Sequence, residues 1–199
     1  MDNSQSQSQS GQDLFVLQLI KNKKPYFVDI GCWEPIELNN TYLLENNGWD
    51  GISVDITDLT NKWSIRKSKF VKANALELYY TALFNENKAP KIIDYLTIDI
   101  EGNGDRFLTL KKVLESDREF KIITIEHDSY RGYELTEAKP QRELLLKMGY
   151  FLLCSDVTLS GNPFEDWWVN PKYFDEKEYI HLKSDKADYN EILKKLNNA

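Results

Sequence analysis

Pro25-Tyr26-Phe27-Val28-Asp29-Ile30-Gly31-Cys32-Trp33-Glu34-Pro35 is the stretch that decides the fold. It reads as a short buried strand over residues 26–30. The strand runs into a carboxylate, then one glycine, then a loop. Gly31 permits a sharp turn at the strand's end, and a helix is expected from about residue 39. In open α/β sheets, ligands bind just beyond the carboxyl ends of such strands.

The rest of the chain repeats this plan. Gly51-Ile52-Ser53-Val54-Asp55 is a second strand tipped by Asp55. Lys69-Phe70-Val71-Lys72 is a third, weaker strand that runs out at Ala73-Asn74-Ala75. The segment 92–102 ends in Asp99, Glu101 and Gly102, and the segment 121–126 ends in Glu126-His127-Asp128. Strands six and seven are expected over 150–154 and 165–171, the last as an antiparallel edge. Between them, 105–115 carries Phe107, Leu110 and Leu114 on one helical stripe, and 138–148 is a helix closed by Gly149. Tyr189, Ile192, Leu193 and Leu196 place a helical stripe on the C-terminus. Strand and helix alternating in this way predict an α/β, doubly wound, mostly parallel sheet of seven strands with an antiparallel C-terminal strand. The Ser/Gln-rich residues 1–12 are expected to be disordered, and 13–199 to form a single domain.

Of the 199 residues, 41% are hydrophobic and 13% aromatic, which suffices for a packed core, and the net charge is -7. With no Lys/Arg-dense block, composition argues against nucleic acid or an anionic membrane as partner, because phosphate neutralisation needs clustered cations. Cys32 and Cys154 are too few for a disulfide framework. No apolar run reaches the roughly 18–20 residues of a membrane span, so a soluble, cytoplasmic protein is expected, as a free enzyme, a homodimer or one domain of a longer chain.

Read in order, several segments carry a family resemblance. Phe27-Val28-Asp29-Ile30-Gly31, Asn40-Thr41-Tyr42-Leu43-Leu44-Glu45 and Gly48-Trp49-Asp50-Gly51 resemble the opening of FkbM-type S-adenosylmethionine-dependent methyltransferases. Asp94 through Gly102 resembles their central acidic strand, and Ile125-Glu126-His127 the next. The segment from Arg142 to Tyr150, with Asp166-Trp167-Trp168-Val169, resembles their ending. The resemblance implies a class I methyltransferase (Rossmann-like) fold and O-methylation of a sugar, glycan or related small-molecule hydroxyl. It also implies a cofactor site at Asp29, Gly31, Asn40, Thr41, Asp55, Asn74, Ala75 and Asp99. In one departure, Trp33-Glu34-Pro35 replaces the small Gly-containing turn usual after the first strand.

The chemistry of the residues agrees with such a site. Asp29 suits the ammonium end of the cofactor, and turn capping is its alternative. Asp55 lies close to the ~20-residue spacing at which an acidic residue meets a ribose in dinucleotide folds, although it can equally cap a following helix. Asn74 can meet the adenine or form an Asx-turn. Asp99 and Glu126 are candidates to orient the acceptor. His127, one of two histidines, is the candidate catalytic base because imidazole titrates near neutrality. Asp99, Glu126 and Asp128, with Glu101 in reserve, are oxygen ligands suited to Mg²⁺ or another divalent cation; direct binding of substrate hydroxyls is the alternative. Three other functions stay open, the weakest a nucleic-acid methyltransferase, given the charge and the lack of an Asn/Asp-Pro-Pro-aromatic segment after the central strand. A nicotinamide-dependent oxidoreductase is disfavoured because the first turn lacks Gly-x-Gly-x-x-Gly. In a non-catalytic Rossmann-like binding module, Trp33 would fill the pocket.

Overall fold

A computed structural model describes residues 6–197. One mixed sheet runs through it. The strands are β1 (Tyr26–Ile30), β2 (Asp50–Asp55), β3 (Lys69–Lys72), β4 (Ile92–Ile98), β5 (Glu119–Glu126), β6 (Phe151–Leu159), β7 (Asn162–Val169) and β8 (Ser184–Asp185), in the order β3-β2-β1-β4-β5-β7-β6-β8. β1 to β5 are parallel, and β7 is antiparallel to both β5 and β6. The sheet therefore has eight strands rather than seven, because β8 adds a two-residue parallel pairing to β6. The antiparallel strand is not an edge. It lies between β5 and β6, where its apolar end, Trp167-Trp168-Val169, is fully buried.

Side-chain alternation explains why the strands read as continuous hydrophobic runs. Phe27, Tyr95, Ile122 and Trp167 enter one core, while Val28, Leu96, Ile123 and Trp168 enter the other. A parallel sheet covered on both faces demands this. Trp167 and Trp168 are both fully buried, so neither walls a pocket, and Trp167 stacks on Phe15 at 4.8 Å between ring centroids. Phe15 belongs to α1 (Gln12–Leu19). On the same face, α8 (Tyr189–Asn197) buries Ile192 and Leu196, as its sequence stripe predicts. On the other face, α5 (Asp105–Leu114) buries Arg106, Thr109, Leu110 and Val113. Its buried stripe is thus rotated from the expected one and carries an arginine. The helix α6 (Lys139–Lys147) is followed by Gly149 at φ 86°, the left-handed geometry of a helix stop.

The N-terminal segment departs from the expected disorder. Residues 1–5 lie outside the described residues. Residues 6–12, however, are folded onto the domain. Asp13, fully buried, accepts hydrogen bonds from the Ser6 and Ser8 hydroxyls at 2.6 and 2.8 Å and from the Gln7 backbone N–H at 3.1 Å. Gln12 donates to Glu165 at 3.0 Å. Low hydrophobicity hid this packing, which rests on two buried carboxylates, Asp13 and Glu165, rather than on apolar burial. Among the described residues, no helix is long and apolar enough to cross a membrane.

Candidate active site

Strand order reverses between β1 and β4, where β2 lies to one side and β5 to the other. At such a switch point the loops leave in opposite directions and open a crevice at the carboxyl ends. A cavity of about 560 Å³ lies there, lined by the tips and following loops of β1 to β4. A second, of about 240 Å³, adjoins it beyond β4 and β5. Gln9, Asp99 and Glu101 line both.

The larger cavity receives Gly31, Asp55, Asn74, Ala75 and Asp99 from the expected set. Gly31 sits at φ 88°, and a Cβ built on it would lie 1.9 Å from the Asp99 backbone oxygen. The glycine therefore lets the tips of β1 and β4 close on each other, a stricter requirement than approach to a ligand. Asp55 holds the loops around it. Its carboxylate accepts the Trp33 backbone N–H at 3.0 Å and the Thr57 backbone N–H at 2.7 Å. Each oxygen keeps a lone pair free. Asn74 forms the Asx-turn, accepting the Leu76 N–H at 3.0 Å, and still lines the wall. Three exposed apolar side chains, Trp33, Leu38 and Ile56, gather at this cavity. Trp33 is 54% exposed and leaves the cavity open rather than filling it. Trp33 and Leu38 adopt left-handed backbone at φ 44° and 53°, strain of the kind that surrounding structure must hold in place.

Arg66 supplies that hold. Its guanidinium donates to the Pro35 carbonyl at 2.6 Å, to Asn39 at 3.1 Å and to Thr41 at 3.2 Å, and pairs with Glu45 at 3.1 Å. The Trp63 indole N–H donates to the Trp33 carbonyl at 2.9 Å. These bonds replace the small Gly-containing turn with a stitched loop. A lone arginine between a helix and a strand gives no sequence signal for this.

Three expected cofactor residues do not line the cavity. Asp29 is buried behind the strand tip and accepts the Thr41 hydroxyl at 2.8 Å. Burial pushes its carboxyl up to about 7 against the pull of Thr41 and Arg66. Thr41 is spent on that bond. Asn40 is buried and donates to the Thr97 hydroxyl at 3.2 Å. Asp29 lies within β1, among its neighbours in the sheet, while Gly31 follows the strand and takes the tip.

The smaller cavity is lined by Asp99, Glu101, Glu126 and Asp128, with Tyr130 and Arg131 from the loop after β5. Asp99 and Glu126 face the same cavity and lie close enough to influence each other's ionisation. Burial raises both carboxyls, Asp99 and Asp128 raise Glu126 further, and Arg106 pulls both back down. Arg106, 1% exposed, reaches Glu126 at 3.2 Å and Asp128 at 2.9 Å. Its helix start is capped by Glu137, which accepts the Gly104, Arg106 and Phe107 backbone N–H groups at 2.7, 3.2 and 2.8 Å.

This arginine corrects the metal assignment. A guanidinium already neutralises the oxygens of Glu126 and Asp128 that a divalent ion would need, and would repel it. Among the described residues, the group with metal-ligand spacing is instead His127, Asp156 and Asp166. There too an arginine stands in the cation's place: Arg142 pairs with Asp156 and Asp166 at 2.7 Å each.

His127, the expected base, is fully buried and lines neither cavity. The Ser129 N–H donates to its Nδ1 at 3.2 Å, so Nε2 carries the proton and faces Asp166 at 3.3 Å. The period-2 geometry of a strand end sends Glu126 and Asp128 to the cavity and His127 to the opposite side. Burial alone would raise the Asp166 carboxyl, but His127 and Arg142 together bring it below the usual carboxylate range.

No protein-family model matches the chain, and no curated protein matches it. Solved structures do. A protein of the NADB-Rossmann superfamily from Streptococcus agalactiae superposes with TM-score 0.54 at 14% identity, over 84% of this chain and 71% of that one. A protein named as an rRNA-methylase from Clostridium thermocellum gives 0.56 at 14% identity, over 83% and 96%. The METTL16 MTase domain gives 0.50 at 18%, over 82% and 66%. The fold is the Rossmann-like methyltransferase fold. Nothing in these matches singles out the FkbM family. They also overturn the exclusion of nucleic acid as a partner, since a protein named as an rRNA-methylase carries this same fold. The acidity of a whole chain does not decide what its cavity accepts.

Proposed function

We propose that this chain is an S-adenosylmethionine-dependent methyltransferase of FkbM type that methylates a hydroxyl of a sugar or related molecule. The single observation that carries the reading is the pair of adjoining cavities meeting at Asp99. The larger suits an adenosyl group, with apolar walls at Trp33, Leu38 and Ile56 and a carboxylate with free lone pairs at Asp55. The smaller suits a compact acceptor rich in hydrogen-bond donors. When bound, the cofactor supplies an electrophilic methyl on a positively charged sulfur. The protein's part is to hold acceptor oxygen and methyl in line, since positioning removes much of the barrier. Asp99, at the junction, does this from both sides. The name of the rRNA-methylase makes RNA an acceptor to assay beside free sugars and glycans.

Calorimetry with S-adenosylhomocysteine tests the reading directly. Saturable binding that Asp55→Ala weakens supports it. Binding of NAD with none of S-adenosylhomocysteine refutes it.

A further inference from the structure

A sulfonium cofactor carries three groups on its sulfur. With the adenosyl group in the larger cavity and the methyl toward the smaller, the third group starts at the junction between them. That group is an amino-acid chain ending in an ammonium and a carboxylate. The carboxylate needs hydrogen-bond donors, and the larger cavity offers few. Among the described residues no Lys, Arg or His lines it, and the ionisable side chains there, Asp55, Asp99, Glu101 and Asp105, are carboxyls. The backbone N–H groups of Gly31, Trp33, Leu76 and Asp99 are spent inside the protein. Of the lining side chains with an N–H to give, Asn74 donates to Glu77 at 3.2 Å, and Trp33 lines the larger cavity but not the smaller. Gln9 lines both. We infer that the N-terminal segment is part of the active site, with the Gln9 carboxamide as the hydrogen-bond donor to the cofactor's carboxylate. This rests on the methyltransferase reading above.

The segment holds Gln9 ready. On one side of it, the Ser8 hydroxyl donates to buried Asp13 at 2.8 Å; on the other, the Ser10 N–H donates to Gln12 Oε1 at 2.9 Å. Gln12 donates in turn to both Glu165 oxygens, at 3.0 and 3.1 Å, and Glu165 sits opposite Glu126 in the β5–β7 pairing. Gly11 turns the chain at φ 77°, and a Cβ built on it would lie 2.4 Å from Leu193 Cδ2 of α8. The segment is therefore tied both to the sheet and to the C-terminal helix. Ser8 and Gln12 spend their side chains on these ties. Gln9 does not: it is half-buried, and among the described residues no hydrogen bond engages its carboxamide. An unspent amide on a fixed backbone binds a ligand without breaking a bond or ordering a loop, which is the condition for full return from one contact. The amide is also neutral. A lysine or arginine in its place would repel the incoming sulfonium.

A pair of ligands separates this role from a structural one. S-adenosylhomocysteine carries the amino-acid chain, whereas methylthioadenosine has the same nucleoside and thioether sulfur without it. Calorimetry at neutral pH measures both against the whole chain and its Gln9→Ala and Gln9→Glu variants, with Tm read alongside. Gln9→Ala should bind S-adenosylhomocysteine about tenfold more weakly, the lower end of what a hydrogen bond to a charged group is worth. Its affinity for methylthioadenosine should stay within about twofold and its Tm within about 2 °C, because the side chain holds nothing in the fold. Gln9→Glu should bind S-adenosylhomocysteine more weakly again, since two carboxylates then face each other. If methylthioadenosine binds too weakly to measure, that rank order of Gln, Ala and Glu decides. Unchanged affinity in Gln9→Ala, an equal loss with both ligands, or tighter binding by Gln9→Glu overturns the inference and leaves the methyltransferase reading standing. Binding of neither ligand to the parent chain overturns both.

Discussion

Replacing Gly31 by alanine should break the site at its narrowest point. The added Cβ would sit 1.9 Å from the Asp99 carbonyl oxygen and 2.5 Å from its carbon, far inside van der Waals contact. Neither neighbour can swing away, because both are backbone. The β1 and β4 tips must part, and two bonds hold them in place: Gly31 N–H to the Val54 carbonyl and Asp99 N–H to the Ile30 carbonyl, both 2.8 Å. Each is worth about 1 kcal/mol net. An alanine at φ 88° adds about 1–2 kcal/mol of left-handed strain. Together these come to about 3–4 kcal/mol, a large share of the roughly 5–15 kcal/mol that stabilises a domain. For a chain of this size that is a fall in Tm of about 6–16 °C. Thermal denaturation followed by circular dichroism reads the stability, and calorimetry with S-adenosylhomocysteine reads the cavity. A variant whose Tm moves by less than about 2 °C and whose affinity is unchanged would show that the tips are not in register as described.

Asp55→Ala should weaken S-adenosylhomocysteine binding about 10- to 150-fold, the equivalent of one charge-assisted hydrogen bond of about 1.5–3 kcal/mol; unchanged affinity removes it from the site. His127→Asn should keep that affinity within about twofold, because the ring is buried away from both cavities, while lowering stability by about 1–3 kcal/mol through the loss of its bond network; a large loss of affinity with stability intact would contradict its placement. Arg106→Met should cost about 3–5 kcal/mol, as removing one partner of a buried ion pair does, read as the urea midpoint; a neutral result would mean that Glu126 and Asp128 are not held by it. Glu165 gives the pH prediction. Burial raises its carboxyl to about 8 despite hydrogen bonds from Trp167 and Gln12, whereas an unfolded glutamate titrates near about 4.3. Between those values the folded state binds the extra proton, so stability falls as pH rises through the window. Glu165→Gln should flatten that slope between about pH 5 and 8, and a variant as pH-sensitive as the parent would refute it.

The order of strands and helices was legible in the chain because the central strands β1, β2, β4 and β5, covered on both faces, had to be apolar along most of their length. The tips were legible too: Gly31, Asp55, Asn74 and Asp99 all reach the crevice, because a polar residue ending an apolar run has little choice but to emerge at the sheet's end. Which side a residue near a tip takes is another matter. His127 is one step out of phase with Glu126 and Asp128, which reach a cavity, and a step of one residue inverts a side chain; Asp29, two residues before Gly31, stops short of the tip. The segment 6–12 and Arg106 escaped notice for a shared reason. Both are fixed by polar partners distant in sequence, Glu165 for Gln12 and Glu126 with Asp128 for Arg106, and hydrophobic periodicity carries no record of such pairs.

Local sequence thus determined a layered α/β domain with acidic strand ends, since period, turns and apolar runs depend on neighbours in the chain. Tertiary structure alone decided that β7 lies inside the sheet, that Gln9 helps join the two cavities, and that arginines stand where a metal was expected. Those outcomes depend on which distant charges and edges meet, and that is settled only when the sheet closes into its final order.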